Sequence, residues 1–246
     1  MHDAAPVGAV IILNYFLKEL EPKLFVVSTP IGNLNDITLR AIETLKQVDF
    51  IACEDTRVTI KLLSHYEIKK ELTSLNAVNE STKINFIIEK ILSGKNCALV
   101  SDAGTPGISD PGNRLINSAG ENGITIVPVP GPSALLAALT ISGLPTNSFV
   151  FEGFIPLKKG RQKKLLELSN EERTIVIYES VYRIEKLLTE LNEYMPGREI
   201  VVCRELTKMF EEMWNGKPSE LLNVLSTKNI KGEFVIVIAP KSWQQK

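Results

Sequence analysis

Residues 97–112 constrain the fold more than any other stretch of this chain. Cys97-Ala-Leu-Val100 is an apolar run after Gly94, long enough for a buried strand and too short for a helix. Asp102 falls at its carboxyl end. Gly104 and Gly107 let a backbone approach a ligand closely, and Asp110-Pro111 offers a helix N-cap followed by a proline at the first helical position. A buried strand, a turn dense in Gly, Pro and Asp, and an immediate helix form the unit from which parallel α/β sheets are built. Ligands bind at the carboxyl edge of such sheets. A tight surface turn uses the same residue types, but seldom at this density.

The pattern recurs along the first half of the chain. Residues 24–28, 49–53 and 124–129 read as further strands. Asp36 is expected to cap a helix on which Leu39, Ile42, Leu45 and Val48 recur at helical spacing. Ile84, Ile87, Ile88, Ile91 and Leu92 mark a second helix that stops at Gly94. Pro130-Gly-Pro-Ser133 makes a turn whose Ser133 caps a small-residue helix ending near Gly143. Leu144-Pro-Thr-Asn147 then separates two regions, which gives an N-terminal domain over 23–145 and a C-terminal one over 146–240. A leader (1–22) and a tail (241–246) flank them. The second domain carries strands at 149–154, 174–178, 199–204 and 234–239 and helices near 162–168, 181–191 and 219–225. An extended piece at 208–214, close after Arg204, predicts a mixed or antiparallel sheet there.

Composition excludes several classes. With 246 residues, 44% of them apolar, the chain can fill real cores, and a formal net charge of −1 does not advertise a nucleic-acid binder. Any such role has to rest on local clustering. Cys53, Cys97 and Cys203 are far apart in apolar runs, which fits buried thiols in a reducing cytoplasm rather than disulfides or a zinc site. His2 and His65 are the only histidines, too few for a histidine-centred triad or metal centre. The apolar stretch 7–17 has no preceding basic residue and is too short to span a bilayer, so a soluble, cytoplasmic protein is expected.

Three turns, at Ser28-Thr-Pro-Ile-Gly-Asn33, at Asp102 and at Pro130–Ser133, follow strands that a parallel sheet would align. Their ends should converge. The chain has no P-loop and no G-x-G-x-x-G after a strand, so nucleoside triphosphates and nicotinamide dinucleotides lack support. The ligand is expected to be held by backbone groups, an acid and apolar contacts. Five cations, Lys158, Lys159, Arg161, Lys163 and Lys164, fall within seven residues just beyond Phe154-Ile-Pro156. They suit a phosphate backbone, although a solvated helix start would look the same.

Eight segments in order carry a resemblance: Ser28-Thr-Pro-Ile-Gly-Asn-Leu34 with Asp36-Ile-Thr38, Cys53-Glu-Asp-Thr-Arg57, Val100-Ser-Asp-Ala-Gly-Thr-Pro106, Ser109-Asp-Pro-Gly112, Pro130-Gly-Pro-Ser-Ala134, Phe151-Glu-Gly-Phe154, Tyr178-Glu-Ser180 and Arg204-Glu-Leu-Thr-Lys208. Together they resemble the ribosomal RNA small-subunit methyltransferase I family, the RNA-modifying branch of the tetrapyrrole methylase superfamily. The resemblance implies a two-domain α/β enzyme, commonly dimeric, with S-adenosylmethionine in the cleft between the domains. It also implies methylation of a cytidine ribose 2′-hydroxyl in the decoding centre of 16S rRNA, within the small ribosomal subunit. Carried over by position, Pro30, Asp102, Gly104, Thr105, Ser133 and Ala134 are cofactor contacts of the first domain. Tyr178, Leu206, Gly232 and Glu233 are those of the second. Thr29-Pro-Ile-Gly-Asn33 is typical of the ribosomal branch and favours RNA over a macrocycle. A tetrapyrrole-type small-molecule methylase and a non-catalytic ribosome-binding protein are the competing readings. Two departures bear on substrate docking: an apolar leader precedes Leu24, and the chain ends seven residues after Ala239, where many members continue.

Methyl transfer from a sulfonium is an in-line displacement, so alignment of the hydroxyl with the methyl dominates, and a nearby base adds to it. Candidate bases are Glu54, Asp55, Glu179, Glu205 and Lys208. The Glu54-Asp55-Arg57 cluster is favoured because it follows a strand and because Arg57 can also grip a phosphate. Its alternative is a helix-entry cap with a local ion pair.

Overall fold

A computed structural model describes residues 21–76, 78–228 and 231–243. The leader, apart from its last two residues, and the end of the tail lie outside the described residues. The chain divides into two compact units, one reaching to Thr29 and taking in Ile37–Gly131, the other formed by Pro30–Asp36 and the chain from Pro132 onward.

In the first unit β1 (Lys23–Val27), β2 (Phe50–Cys53), β3 (Glu71–Ser74), β4 (Cys97–Val100) and β5 (Thr125–Val129) form one sheet in the order β3-β2-β4-β1-β5. Every neighbouring pair is parallel. β2 and β4 are buried at every residue, which is why their sequences are unbroken apolar runs rather than alternating ones. Helices α1 (Leu39–Gln47) and α2 (Thr56–His65) cover one face through Ala41, Leu45, Leu62 and Leu63. α3 (Glu80–Leu92) and α4 (Asn113–Glu121) cover the other through Ile84, Ile87, Ile91 and Leu115. The chain therefore leaves β2 and β1 toward one face and leaves β4, which lies between them, toward the other. Both gaps beside β4 are topological switch points, the places where parallel sheets open a crevice.

Two expected caps are displaced. Asp36 lies in a short 3-10 turn, Leu34–Asp36, and α1 is capped instead by Thr38, whose hydroxyl accepts from the Ala41 amide at 3.1 Å. Gly112, at φ 125°, stands at the cap of α4, and the Asp110 carboxyl turns away to the Ser101 side chain. The sequence reading passed over β3 and α2. The edge strand Glu-Leu-Thr-Ser is polar and only partly buried, so it has no apolar run to betray it.

The second unit builds its sheet from β6 (Phe149–Phe154), β7 (Thr174–Ser180), β8 (Ile200–Arg204), β9 (Glu212–Gly216) and β10 (Glu233–Ile238), in the order β6-β7-β10-β8-β9. β6 and β7 are parallel and the other pairs antiparallel, the mixed sheet expected from the extended piece after Arg204. α6 (Arg161–Ser169), α7 (Ile184–Tyr194) and α8 (Pro218–Ser226) pack on one face through Leu165, Leu187, Leu188, Leu191 and Leu221. α5 (Ala134–Ile141) packs on the other, with Ala138 and Leu139 against Val176, Val201, Val235 and Val237. The sequence reading gave that helix to the first domain by its position in the chain. Its nearly uniform apolar surface instead goes with β10, and Ile31 of the 30–36 segment joins the same cluster. All three cysteines are free and buried.

Candidate active site

The loops that leave β1, β4 and β5 meet as expected. The Ser28 amide donates to the Val129 carbonyl at 3.2 Å, and Thr29 and Gly104 exchange backbone hydrogen bonds at 2.8 and 3.0 Å. The Thr29 hydroxyl donates to the Ser101 carbonyl at 3.1 Å, and the Ser28 and Thr105 hydroxyls lie 2.9 Å apart. Gly104 makes this zipper with φ 84°, a conformation that a side chain would strain. These bonds satisfy the buried Ser28 and Thr29 and the Ser101 carbonyl, and fix the backbone on one side of β4.

On the other side of β4 a recess of about 360 Å³ opens at the carboxyl ends of β2, β3 and β4, lined by Glu54, Asp55, Thr56, Arg57, Ser74, Asn76 and Asp102. Asp102 Oδ1 accepts from the Asp55 amide at 3.0 Å, which ties the β4 loop to the start of α2. Asp55 caps that helix, accepting from the Arg57 amide at 2.8 Å, and takes the Arg57 guanidinium on both carboxylate oxygens at 2.5–3.1 Å. These bonds hold its carboxyl at about 2. A group so acidic is a poor proton acceptor, so Asp55 and Arg57 form the cap and ion pair that stood as the alternative, and Asp55 is removed as a base.

The other carboxylates of this edge behave oppositely. Burial, then the charge of Asp102, pushes Glu54 up from the ordinary glutamate value, although a backbone hydrogen bond from Asp102 opposes the shift. Burial also raises Asp102, and it raises Asp110 to about 6 with help from the charges of Glu54 and Asp102. Three acids that each resist ionisation make this edge a place for a positively charged group. A sulfonium or ammonium ligand suits that donor set.

The Asp110 shift is also a statement about stability. A carboxyl whose folded value exceeds its unfolded one binds protons more tightly when folded, so its contribution is full below about pH 4 and is lost as the pH rises through 6. Asp110→Asn should abolish that loss. After a discount for solvent screening it should raise stability by about 1 kcal/mol at pH 8 and by nothing at pH 4. Thermal scans of both proteins at the two pH values would check this; an equal shift at both would contradict it.

In the second unit Leu206, Gly232 and Glu233 gather around one turn, and Tyr178 reaches the start of α5 beside Ser133 and Ala134. Gly32 lies against Leu206, Thr207 and Lys208, and the Asn33 amide donates to Thr207 Oγ1 at 3.1 Å. Glu205 and Thr207 sit at φ 49° and 66° on either side of Leu206, a strain of the kind found at ligand sites, while the Leu206 side chain itself is buried in the cluster of Val201 and Val235. Gly232, at φ 100°, leaves room for the Glu205 side chain, whose Oε1 accepts from the Glu233 amide at 3.0 Å. Tyr178 Oη accepts from the Leu135 amide at 3.0 Å, in the first turn of the helix that Ser133 and Ala134 open.

Three base candidates of this unit lose force. Burial alone would lower Lys208, but its hydrogen bonds to Glu205 and Glu233, both 2.8 Å, prevail and hold it more firmly protonated. Glu205, opposed by burial, is held low by the same lysine. Glu179 is pushed up by burial, but it is 1% exposed and bound to Arg183 at 2.6 Å.

The basic cluster also divides. Lys158, Lys159 and Lys163 are exposed, and Lys164 pairs with Glu152 at 3.1 Å. Arg161 is a correction: only 4% exposed, it forms a forked pair with Glu190 at 2.5–2.9 Å and donates to the Pro156 carbonyl, so it anchors α6 to α7 and is closed to RNA. Removing one partner of a buried pair costs roughly 3–5 kcal/mol. Arg161→Ala should therefore lower the thermal midpoint by several degrees, whereas Lys159→Ala should leave it unchanged; equal midpoints would contradict this assignment.

Comparison with known proteins agrees with this architecture. Residues 23–222 match the family described as Tetrapyrrole (Corrin/Porphyrin) Methylases. The chain is 48% identical over 218 residues to the ribosomal RNA small subunit methyltransferase I of Synechocystis sp., covering 88% of this chain and 78% of that one. It is 45% identical to the protein of the same name from Thermotoga maritima, covering 89% and 99%. Among solved structures, cobalt precorrin-4 methyltransferase superposes with a TM-score of 0.67 at 18% identity over 88% of this chain and 94% of that one. Diphthine synthase superposes with 0.69 at 13% over 88% and 89%. The chain belongs to the tetrapyrrole methylase family, and within it to the group of ribosomal RNA small subunit methyltransferase I. It is a methyltransferase. Among the described residues, no helix is long and apolar enough to cross a membrane.

Proposed function

We propose that this protein methylates the ribose 2′-hydroxyl of a decoding-centre cytidine in 16S rRNA, using S-adenosylmethionine and acting on the small ribosomal subunit as a homodimer in the cytoplasm. The observation that carries the reading is the acidic recess beside β4, where Glu54 lies next to Asp102 at a switch point of the sheet. The relatives' names supply the RNA.

S-adenosylmethionine, when bound, supplies a methyl group activated by its sulfonium charge. Asp102 and Asp110 offset the positive charge of the donor, and the Thr29–Gly104 zipper holds the neighbouring backbone rigid. Pro30, Gly104, Thr105, Ser133, Ala134, Tyr178, Leu206, Gly232 and Glu233 complete the cofactor contacts in this reading. Glu54, whose carboxyl burial raises above the ordinary glutamate value, takes the proton that the ribose hydroxyl releases as its bond to carbon forms. Arg57, 86% exposed, can exchange its weak surface pair with Asp55 for an RNA phosphate. Lys158, Lys159 and Lys163 attract the backbone of the same RNA.

Ribose methylation blocks alkaline cleavage of the adjoining phosphodiester. Small subunits incubated with the protein and cofactor should acquire one protected linkage, at a decoding-centre cytidine. A ladder identical to that of untreated subunits would reject the proposal. Changing Lys158, Lys159 and Lys163 to Glu should weaken binding of the subunit at least tenfold and reduce its salt dependence, with cofactor affinity intact. An unchanged salt titration would remove these lysines from the interface.

A further inference from the structure

The turn between β7 and α7 of the C-terminal unit presents an exposed aromatic ring beside an arginine. Tyr182, in the turn that joins β7 to α7, is 94% exposed. A buried or packed tyrosine needs no special account, but a ring standing almost wholly in water gives up the burial that usually justifies it. The next residue, Arg183, has its guanidinium 5.5 Å from the centre of the Phe154 ring, and Phe154 is itself half exposed. That guanidinium is held from behind. Glu179, with no side-chain exposure, meets Arg183 Nε at 2.6 Å, and Ser180 Oγ lies 3.3 Å from the same nitrogen. Glu179 Oε2 is buried without a hydrogen-bond partner among the described residues. Glu179 Oε1 also accepts from the Ser180 amide at 2.8 Å, so a buried acid fixed by its own backbone holds the partly exposed Arg183 from behind.

Basic residues follow Phe154 in the chain and line the recess beside Tyr182. Lys158 and Lys159 lie four and five residues beyond Phe154, and the Arg161–Glu190 pair ties their loop to α7. An open recess of about 450 Å³ runs along the first turns of α7 between Tyr182 and Glu190, with Lys186 on its wall. Glu190 is neutralised by Arg161, so Glu185 is the one acid of the recess facing it without an ion pair among the described residues. Exposed rings, an arginine held by a buried acid and lysines close by in the chain suit an unpaired nucleobase and its phosphates, because aromatic and guanidinium planes stack on any base while the cations follow the backbone.

We propose that Tyr182 and the Phe154–Arg183 pair form a stacking platform for an unstacked base of the RNA substrate other than the residue that is methylated. The inference rests on the RNA reading above and adds to it a site that recognises a base rather than backbone charge. Glu179 is a positioning residue that acts through Arg183.

The test uses the full chain and small ribosomal subunits that lack the modification. Short-wavelength irradiation of the complex should crosslink a peptide containing Tyr182 to RNA. Tyr182→Ala should lose that crosslink and raise KM for subunits about tenfold, with KM for S-adenosylmethionine and the thermal midpoint unchanged. Tyr182→Phe, which keeps the π-face, should restore wild-type KM. Glu179→Gln should raise KM in the same direction. If Tyr182→Ala methylates subunits with wild-type KM while the lysine-to-glutamate variant is impaired, the platform is overturned and the RNA reading stands. If the wild-type protein neither labels nor binds subunits, both fall. A change from dimer to monomer in sedimentation of Tyr182→Ala would also overturn the platform, by assigning the surface to a second copy of the chain.

Discussion

Glu54→Gln is expected to lower kcat for methyl transfer by about 10²–10⁴-fold, the range over which a positioned general base acts. The substitution keeps the size of the side chain and its place at the end of β2, so cofactor affinity should change little and the loss should appear in kcat rather than KM. The pH profile separates this from a packing defect. A base works only when deprotonated, and burial together with the Asp102 charge raises Glu54 above the ordinary glutamate value of 4.5. The wild-type rate should therefore fall on the acid side with a midpoint above 4.5, and the residual rate of Glu54→Gln should lack that limb. Asp55→Asn is the contrasting variant. Its carboxyl lies at about 2, ionised throughout the working range, so its removal should loosen the entry to α2 and leave the acid limb where it is. An acid limb that survives in Glu54→Gln and disappears in Asp55→Asn would reverse the assignment.

Asp102→Ala is expected to weaken S-adenosylmethionine binding about 100-fold, the order lost with a hydrogen bond or ion pair to a charged group. The fold should persist, because Asp102 lies beyond the end of β4, is only partly buried, and its side chain accepts from the loop amide of Asp55 rather than supporting a core. Asp102→Asn retains an acceptor for that amide and discards the charge, so it should fall between the two. Calorimetry of the folded variants measures this directly. Wild-type affinity in folded Asp102→Ala would refute the role of Asp102.

The parts of this molecule legible in the sequence are those in which burial writes a continuous signal. Cys97–Val100 is legible to the residue, since a strand buried at every position leaves an unbroken apolar run, and the aromatic, β-branched start of Phe149–Phe154 marks the edge strand over the same bounds as the fold. The convergence of the β1, β4 and β5 loops followed from parallel strands alone, and the Thr29–Gly104 bonds realise it. Contributions that depend on partners far along the chain were not legible. Arg161 reads as one of five cations, and only the fold reveals that Glu190, 29 residues away, takes its charge into the interior. Lys208 reads as a candidate base until Glu205 and Glu233 are seen to hold its proton. By its position in the chain α5 belongs to the first domain, but its apolar surface packs against β10. The buried acid behind Arg183 had a sequence signal, Tyr178-Glu-Ser180, but nothing local distinguishes a catalytic carboxylate from one that orients an arginine.

Transfer of labelled methyl from S-adenosylmethionine tests the central claim most directly. Small ribosomal subunits lacking the modification, naked 16S rRNA and a free tetrapyrrole would be offered in parallel to the wild-type chain and to Glu54→Gln. The account predicts label in the ribose of one decoding-centre cytidine of the subunit, little on the tetrapyrrole, and at least a hundredfold less label with the variant. Label on the tetrapyrrole with none in RNA, or equal RNA labelling by both proteins, would contradict it.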